Sequence, residues 1–185
     1  MDVQRAIQNR RAYRALKPAA ISSELIEDLA RSAQLAPSCF NNQPWNFVFV
    51  REPKRMVEMR EALSEGNKWA FDASMMIAVF GKKEDDCVIR DRIYYQFDCG
   101  LASGFLILRA TELGLVAHPI AGFSPKKTRE ILGIPGEYKV TTLIIVGKKS
   151  EIISSALSEK QARREKSRPR RKKLSEFVHV DRYEA

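Results

Sequence analysis

Two periodicities organise the apolar positions of this chain. Across residues 21–35, Ile26, Leu29, Ala30 and Ala33 recur at three- and four-residue steps, the spacing of one helix face. Ser22 or Ser23 can cap that helix, Glu24, Glu27 and Asp28 favour its positive end, and Pro37 stops it. Between such stretches lie short, continuous, β-prone runs at residues 46–50, 74–80 and 141–147, which read as buried strands. Pro53 opens a second helix running through Leu63. The longest helix is predicted over residues 88–113, with Ile93, Phe97, Leu101, Gly104 and Leu108 in step and Gly114 as its stop. Gly100 and Gly104, one turn apart, predict the close approach of another helix. A short helix follows Pro125 and ends near Gly133. Helices and strands interleave without regular βαβ units, so the expected class is α+β: one layered domain over residues 1–185, with a central, largely antiparallel sheet flanked by helices.

Charge changes this picture at one place. Of 32 basic residues, nine fall between Lys160 and Lys173, where Glu165 is the only acid, while the remainder holds 23 bases against 22 acids. The net charge of +9 therefore belongs to one segment. Residues 150–185 read as a basic C-terminal extension, and its alternating end, Phe177-Val178-His179-Val180, looks like a strand or arm awaiting a partner subunit. No apolar run reaches the length of a membrane span; residues 101–108 are broken by Ser103 and Gly104. The first residues carry Asp2, Gln4 and Arg5 rather than an apolar export signal. Cys39, Cys87 and Cys99 are odd in number and unpatterned, which predicts no disulfide framework and a reducing, cytoplasmic setting.

Several chemistries are excluded. His118 and His179 are the only histidines, and no Cys or carboxylate lies at metal-ligand spacing, so no metal site is expected. There is no G-x-S-x-G elbow, and no two of the nine glycines form G-x-G, which removes the dinucleotide fingerprint and the phosphate loop. Two segments remain. Arg10-Arg11-Ala12-Tyr13-Arg14 crowds three guanidinium groups at the end of a predicted first helix. Pro37-Ser38-Cys39-Phe40-Asn41-Asn42-Gln43-Pro44-Trp45 is a polar loop entering a strand. Alone, the arginines read as a basic helix end and the amides as turn residues. Together, guanidinium for a phosphate and amides for the edge of a heteroaromatic ring suit a nucleotide-like cofactor.

In this order and spacing the two segments resemble the nitroreductase family, whose patterns are R-R-S-x-R and A-P-S-S-x-N-x-Q-P-W. The resemblance continues through Arg129-Glu130-Ile131-Leu132-Gly133-Ile134-Pro135, the strand at residues 144–147 and the tail Arg170-Arg171-Lys172-Lys173-Leu174-Ser175-Glu176-Phe177-Val178-His179. It implies FMN as cofactor, NADH or NADPH as hydride donor to flavin N5, and a nitroaromatic, quinone or similar acceptor in ping-pong order. It also implies a homodimer with FMN at the interface. The cofactor contacts it implies are Arg10, Arg11, Ala12, Arg14, Pro37, Ser38, Cys39, Asn41, Gln43, Ala121, Gly122, Arg170 and Arg171. Arg14 takes the catalytic role of stabilising the reduced flavin's anionic edge. The chain departs from the pattern at Ala12, Cys39, Asn42 and Lys173, which stand where Ser, Ser, Ser and Pro are usual. Cys39 is either a size-matched replacement or a thiol with a redox role. His118 is either a proton donor or a structurally bonded loop residue. The alternative function is a flavin-binding protein of the same fold without NAD(P)H turnover, with docking on nucleic acid through residues 160–173 as a further option; against that docking stands the lack of any aromatic among the cations. The acceptor and the choice between NADH and NADPH are not specified by any residue.

Overall fold

The computed structural model of the chain describes residues 1–183. Its spine is the eleven-residue strand β7 (Lys139–Lys149). On one edge β7 pairs with β3 (Met75–Gly81), and β2 (Asn46–Val50) lies outside β3. On the other edge β6 (Val116–Ile120) and the two-residue β1 (Leu16–Lys17) pair with β7 in turn. Every one of these pairings is antiparallel.

Helices cover both faces, which is why the strands read as continuous apolar runs rather than alternating ones. Met75, Ile77 and Val79 of β3 and Ile144 and Val146 of β7 pack with α2 (Ser23–Gln34) and α4 (Tyr95–Glu112), against Leu29, Ala33 and Leu106. Met76 and Ala78, with Leu143 and Ile145, point the other way onto Met59 and Trp69 and the layer built by α3 (Pro53–Met59) and the turns at residues 65–72. Ile77 has no exposed surface; cutting such a side chain to Ala costs about 2–5 kcal/mol. Arg109 ties the helical layer together with a two-point ion pair to Asp28, at 3.1 and 2.7 Å. The remaining helices are α1 (Val3–Asn9), α5 (Pro125–Leu132) and α6 (Glu159–Lys166).

The layered α+β architecture agrees with the sequence expectation; several boundaries do not. The long helix starts at Tyr95 instead of residue 88, because Val88–Ile89 (β4) and Arg92–Ile93 (β5) form a small ladder ahead of it. The helix after Pro53 stops at Met59 and tightens into a 3₁₀ turn at residues 60–62. Residues 116–120 form an edge strand, where Pro119 loses no ladder bond on its open side. Gly100 and Gly104 do not receive a helix of this chain, since a Cβ on either would meet nothing within 4 Å. The tail at 177–180 is not a strand; Phe177, Val178 and Val180 are exposed beyond a short turn at residues 174–176.

Candidate functional site

The two ends of the chain meet. A cleft of about 200 Å³ is lined by Arg10, Arg11, Ala12, Arg14, Arg164, Arg168, Pro169 and Arg171. Arg11 and Arg168 assemble it. The Arg11 guanidinium donates to the carbonyl of Arg164 at 2.9 Å and lies 4.4 Å over the Tyr13 ring. It thereby satisfies a last-turn carbonyl of α6, where the helix dipole is negative. Arg168 donates to the carbonyls of Gln8 and Arg10. Glu165, buried beneath, accepts from the backbone N–H of Arg14 at 3.1 Å and of Ala15 at 3.2 Å. With both its oxygens engaged by backbone, this carboxylate pairs with no guanidinium. Among the described residues no acidic side chain forms an ion pair with any of the six arginines.

That imbalance has physical consequences. Burial, then repulsion from Arg171 and Arg168, lowers the pKa of Arg10; burial also lowers that of Arg14, against the opposing pull of Glu165. Both remain cationic, as guanidinium groups do. The Arg14 Nε is buried with no hydrogen-bond partner. Its guanidinium lies 5.8 Å from the centre of the Trp69 ring, which stacks at 4.8 Å on His118, and the Trp69 indole N–H donates to Asn67 at 3.0 Å. Unpaired charge, an orphaned donor and a rigid aromatic floor make a site shaped for an anion.

The polar loop lies elsewhere. Its hydrogen bonds run to α4, to Asp86 and within itself, and none joins it to the arginine cleft among the described residues. Cys39 N–H donates to Asp98 at 2.7 Å, Gln43 N–H to the Ser38 hydroxyl at 3.0 Å, and the Asn42 amide to Asp86 at 3.3 Å. Phe40, Asn41 and Gln43 have φ of 47°, 59° and 52°, left-handed values that L-residues with side chains rarely adopt. Asn41 and Gln43 are exposed, as is Pro37. Cys39 is disulfide-bonded to Cys87. The expectation of no disulfide framework is therefore corrected: residues 48 apart in sequence are brought together by the fold, which spacing alone does not display.

The 118–123 stretch also differs from expectation. His118 sits within β6, buried, with its Nδ1 2.9 Å from the carbonyl of Tyr13. Burial is the main cause that pushes its pKa down to about 4. At neutral pH it is an uncharged donor to backbone, which favours the structural reading over proton donation. Gly122 does permit a close approach, but by protein atoms: a Cβ there would lie 2.5 Å from the Ser64 hydroxyl and the Asn67 amide. Ala121 stands beside it in the exposed turn.

Comparison with known proteins decides the family. The nitroreductase family model matches residues 7–70 and 65–148, most of the chain. The chain belongs to the nitroreductase family. It is 34% identical over 146 residues to a protein of Archaeoglobus fulgidus provisionally named an NADH dehydrogenase/NAD(P)H nitroreductase, covering 76% of this chain and 82% of that one. It is 29% identical over 173 residues to the iodotyrosine deiodinase of Haliscomenobacter hydrossis, covering 78% of each. Among solved structures it superposes on an oxidoreductase containing FMN with a TM-score of 0.84 at 27% identity, covering 100% of this chain and 94% of that one.

Within this nitroreductase-family chain, the residues that sequence reasoning missed are the ones that hold the arginines. Arg164 and Arg168 lay unranked in the basic run, and Trp69 and Glu165 carried no motif. Glu165 did have a signal, as the single acid among nine bases. Arg171 lines the cleft; Arg170, also expected there, does not.

Proposed function

We propose that this chain is an FMN-dependent reductase that takes hydride from NADH or NADPH and delivers electrons, in ping-pong order, to a nitroaromatic, quinone or similar small acceptor. The observation that carries the reading is the unpaired guanidinium cluster around the buried, partnerless Nε of Arg14. FMN, when bound, supplies the hydride acceptor and the two-electron relay. Arg10 and Arg171 hold its phosphate by charge-assisted hydrogen bonds. Arg14, steadied by Trp69 and by the Glu165 bonds to the backbone at 14 and 15, offers positive charge to the edge that becomes anionic on reduction. Ser38, Asn41 and Gln43 supply polar contacts from the loop.

Loop and arginines do not meet within one chain, so the site is completed by the loop of a second copy in a homodimer. The outward face of α4, with exposed Phe97 and Phe105 beside the uncovered Gly100 and Gly104, supports this, as do the exposed Phe177 and Val180 of the tail. No helix among the described residues is long and apolar enough to cross a membrane. We separately place the protein in the cytoplasm, as NADH and NADPH supply requires. A second acceptor class, halogenated aromatics, is supported by the similarity to the deiodinase. Nucleic-acid docking through residues 160–173 is disfavoured because Arg164, Arg168 and Arg171 turn into a cleft instead of forming an open face.

The test is the visible absorption spectrum of the purified protein, repeated anaerobically with NADH and with NADPH. Flavin bands that bleach with either support the reductase. A protein that neither carries nor takes up FMN refutes it. Bands that persist with both nucleotides refute NAD(P)H as donor and leave a flavin-binding protein without this turnover.

A further inference from the structure

The loop at residues 38–43 is strained and thinly anchored. Three of its residues hold left-handed backbone, Phe40 is exposed to 82%, and among the described residues two hydrogen bonds tie the loop to side chains outside it, from Cys39 N–H to Asp98 and from the Asn42 amide to Asp86. Conformations of this kind persist only where the surroundings over-determine them. The one covalent restraint is the bond between Cys39 and Cys87. It links the loop to the segment just ahead of the β4–β5 ladder, which is itself held by the donation of Tyr94 N–H to the Cys87 carbonyl at 3.3 Å.

We propose that Cys39 and Cys87 form a reversible disulfide, opened by an external dithiol, that clamps residues 38–43 and thereby sets the affinity for FMN. The proposal rests on the reading that Asn41 and Gln43 contact the flavin. In the step itself, a thiolate of the dithiol attacks one sulfur and the Cys39–Cys87 bond breaks. The second thiol of the reagent then closes on the mixed disulfide, so the reagent leaves oxidised and the protein gains two electrons and two protons as two thiols. Both half-cystines are only half-buried, within reach of such a reagent. The third cysteine cannot interfere: Cys99 is buried, and its thiol is pushed up to about 12 by burial and by Asp86 and Asp98. Reduction therefore frees the loop without trapping it in another pairing.

The experiment counts thiols in denaturant, before and after treatment with dithiothreitol and its removal by gel filtration. Limited proteolysis and fluorescence titration with FMN follow on both forms and on Cys87→Ser. Expected are one thiol as isolated and three after reduction. Cleavage within residues 38–43 then quickens, and the FMN Kd weakens about tenfold, the worth of one relaxed left-handed residue. Cys87→Ser behaves as the reduced form whatever the reductant. Three thiols that resist pairing by oxidised glutathione overturn the proposal, as do two free thiols held with stoichiometric zinc. So does a reduced form whose cleavage pattern and Kd match the oxidised one. If neither form binds FMN, the flavin reading fails and the affinity claim fails with it, while thiol count and proteolysis still decide whether the clamp exists.

Discussion

Acidification offers a sharp check on how the arginine cleft is floored. His118 is buried and neutral, stacked on Trp69 and bonded through Nδ1 to the carbonyl of Tyr13, with its pKa pushed down to about 4 from 6.5. Burial is the main cause; the charges of Arg14 and Arg10 add to it, and the Tyr13 bond opposes it. Because the folded value lies below the unfolded one, the unfolded chain takes up a proton first as pH falls. The stability owed to the neutral ring is complete above pH 6.5 and is lost as pH drops from there toward 4. Between about pH 7.5 and about pH 5 the loss from this group is about 2 kcal/mol, and about 3 kcal/mol by the time the folded ring itself protonates. Other groups titrate too, so the assay is a difference. Urea unfolding of the wild type and of His118→Asn, which retains an N–H donor near the Nδ1 position, is compared at both pH values. The wild type should lose about 2 kcal/mol more than the variant. Parallel losses would mean that His118 is solvated or already charged, and the stacked floor beneath Arg14 would have to be abandoned.

Three further outcomes follow from the cleft. Arg14→Ala should weaken FMN binding by about ten- to a hundredfold, the worth of a charge-assisted bond, and slow flavin reduction in stopped-flow; unchanged reduction removes Arg14 from the mechanism. Arg171→Ala should cost FMN affinity in the same fluorescence titration while Arg170→Ala leaves it near wild type, since only Arg171 lines the cleft; equal losses would show that the tail adopts another path when cofactor binds. Glu165→Gln keeps one acceptor but leaves the cluster a charge more positive and one backbone N–H short of its carboxylate. It should destabilise by about 2 kcal/mol, lowering Tm by roughly 4–8 °C in calorimetry, with more of the loss appearing at low salt.

What the sequence displayed and what it hid divide along a physical line. Strands buried on both faces, such as Met75–Gly81, announce themselves by unbroken apolar runs, and helices by period and caps: Ser22 does accept from Leu25 N–H at 3.1 Å, as its place before residues 23–34 predicts. The arginines and the polar loop were legible because each is contiguous in the chain. Contacts between distant segments have no local signature. Nothing in Cys39 or Cys87 alone announces the other, and nothing in Trp69 announces Arg14. β6 was concealed for a different reason, since Pro119 speaks against a strand unless one already knows that the strand is at an edge.

The same division bears on how the site works. The motif residues, which the proposal assigns to the ligand, sit on segments with little regular structure: the linker between α1 and β1, and a loop in left-handed backbone. Neither segment would hold its shape from local propensity. What fixes the first is a buried carboxylate whose two oxygens are spent on backbone N–H groups, plus two arginines, Arg11 and Arg168, spent on backbone carbonyls. Charge in this cluster is thus divided between members that build and members the proposal leaves to bind. Arg11 and Arg168 each donate from one terminal nitrogen to backbone carbonyls, whereas the buried Nε of Arg14 has no partner. Replacing Arg11 should therefore disturb the cleft through α6, lowering stability and cofactor affinity together, whereas replacing Arg14 should leave the fold intact and change the chemistry.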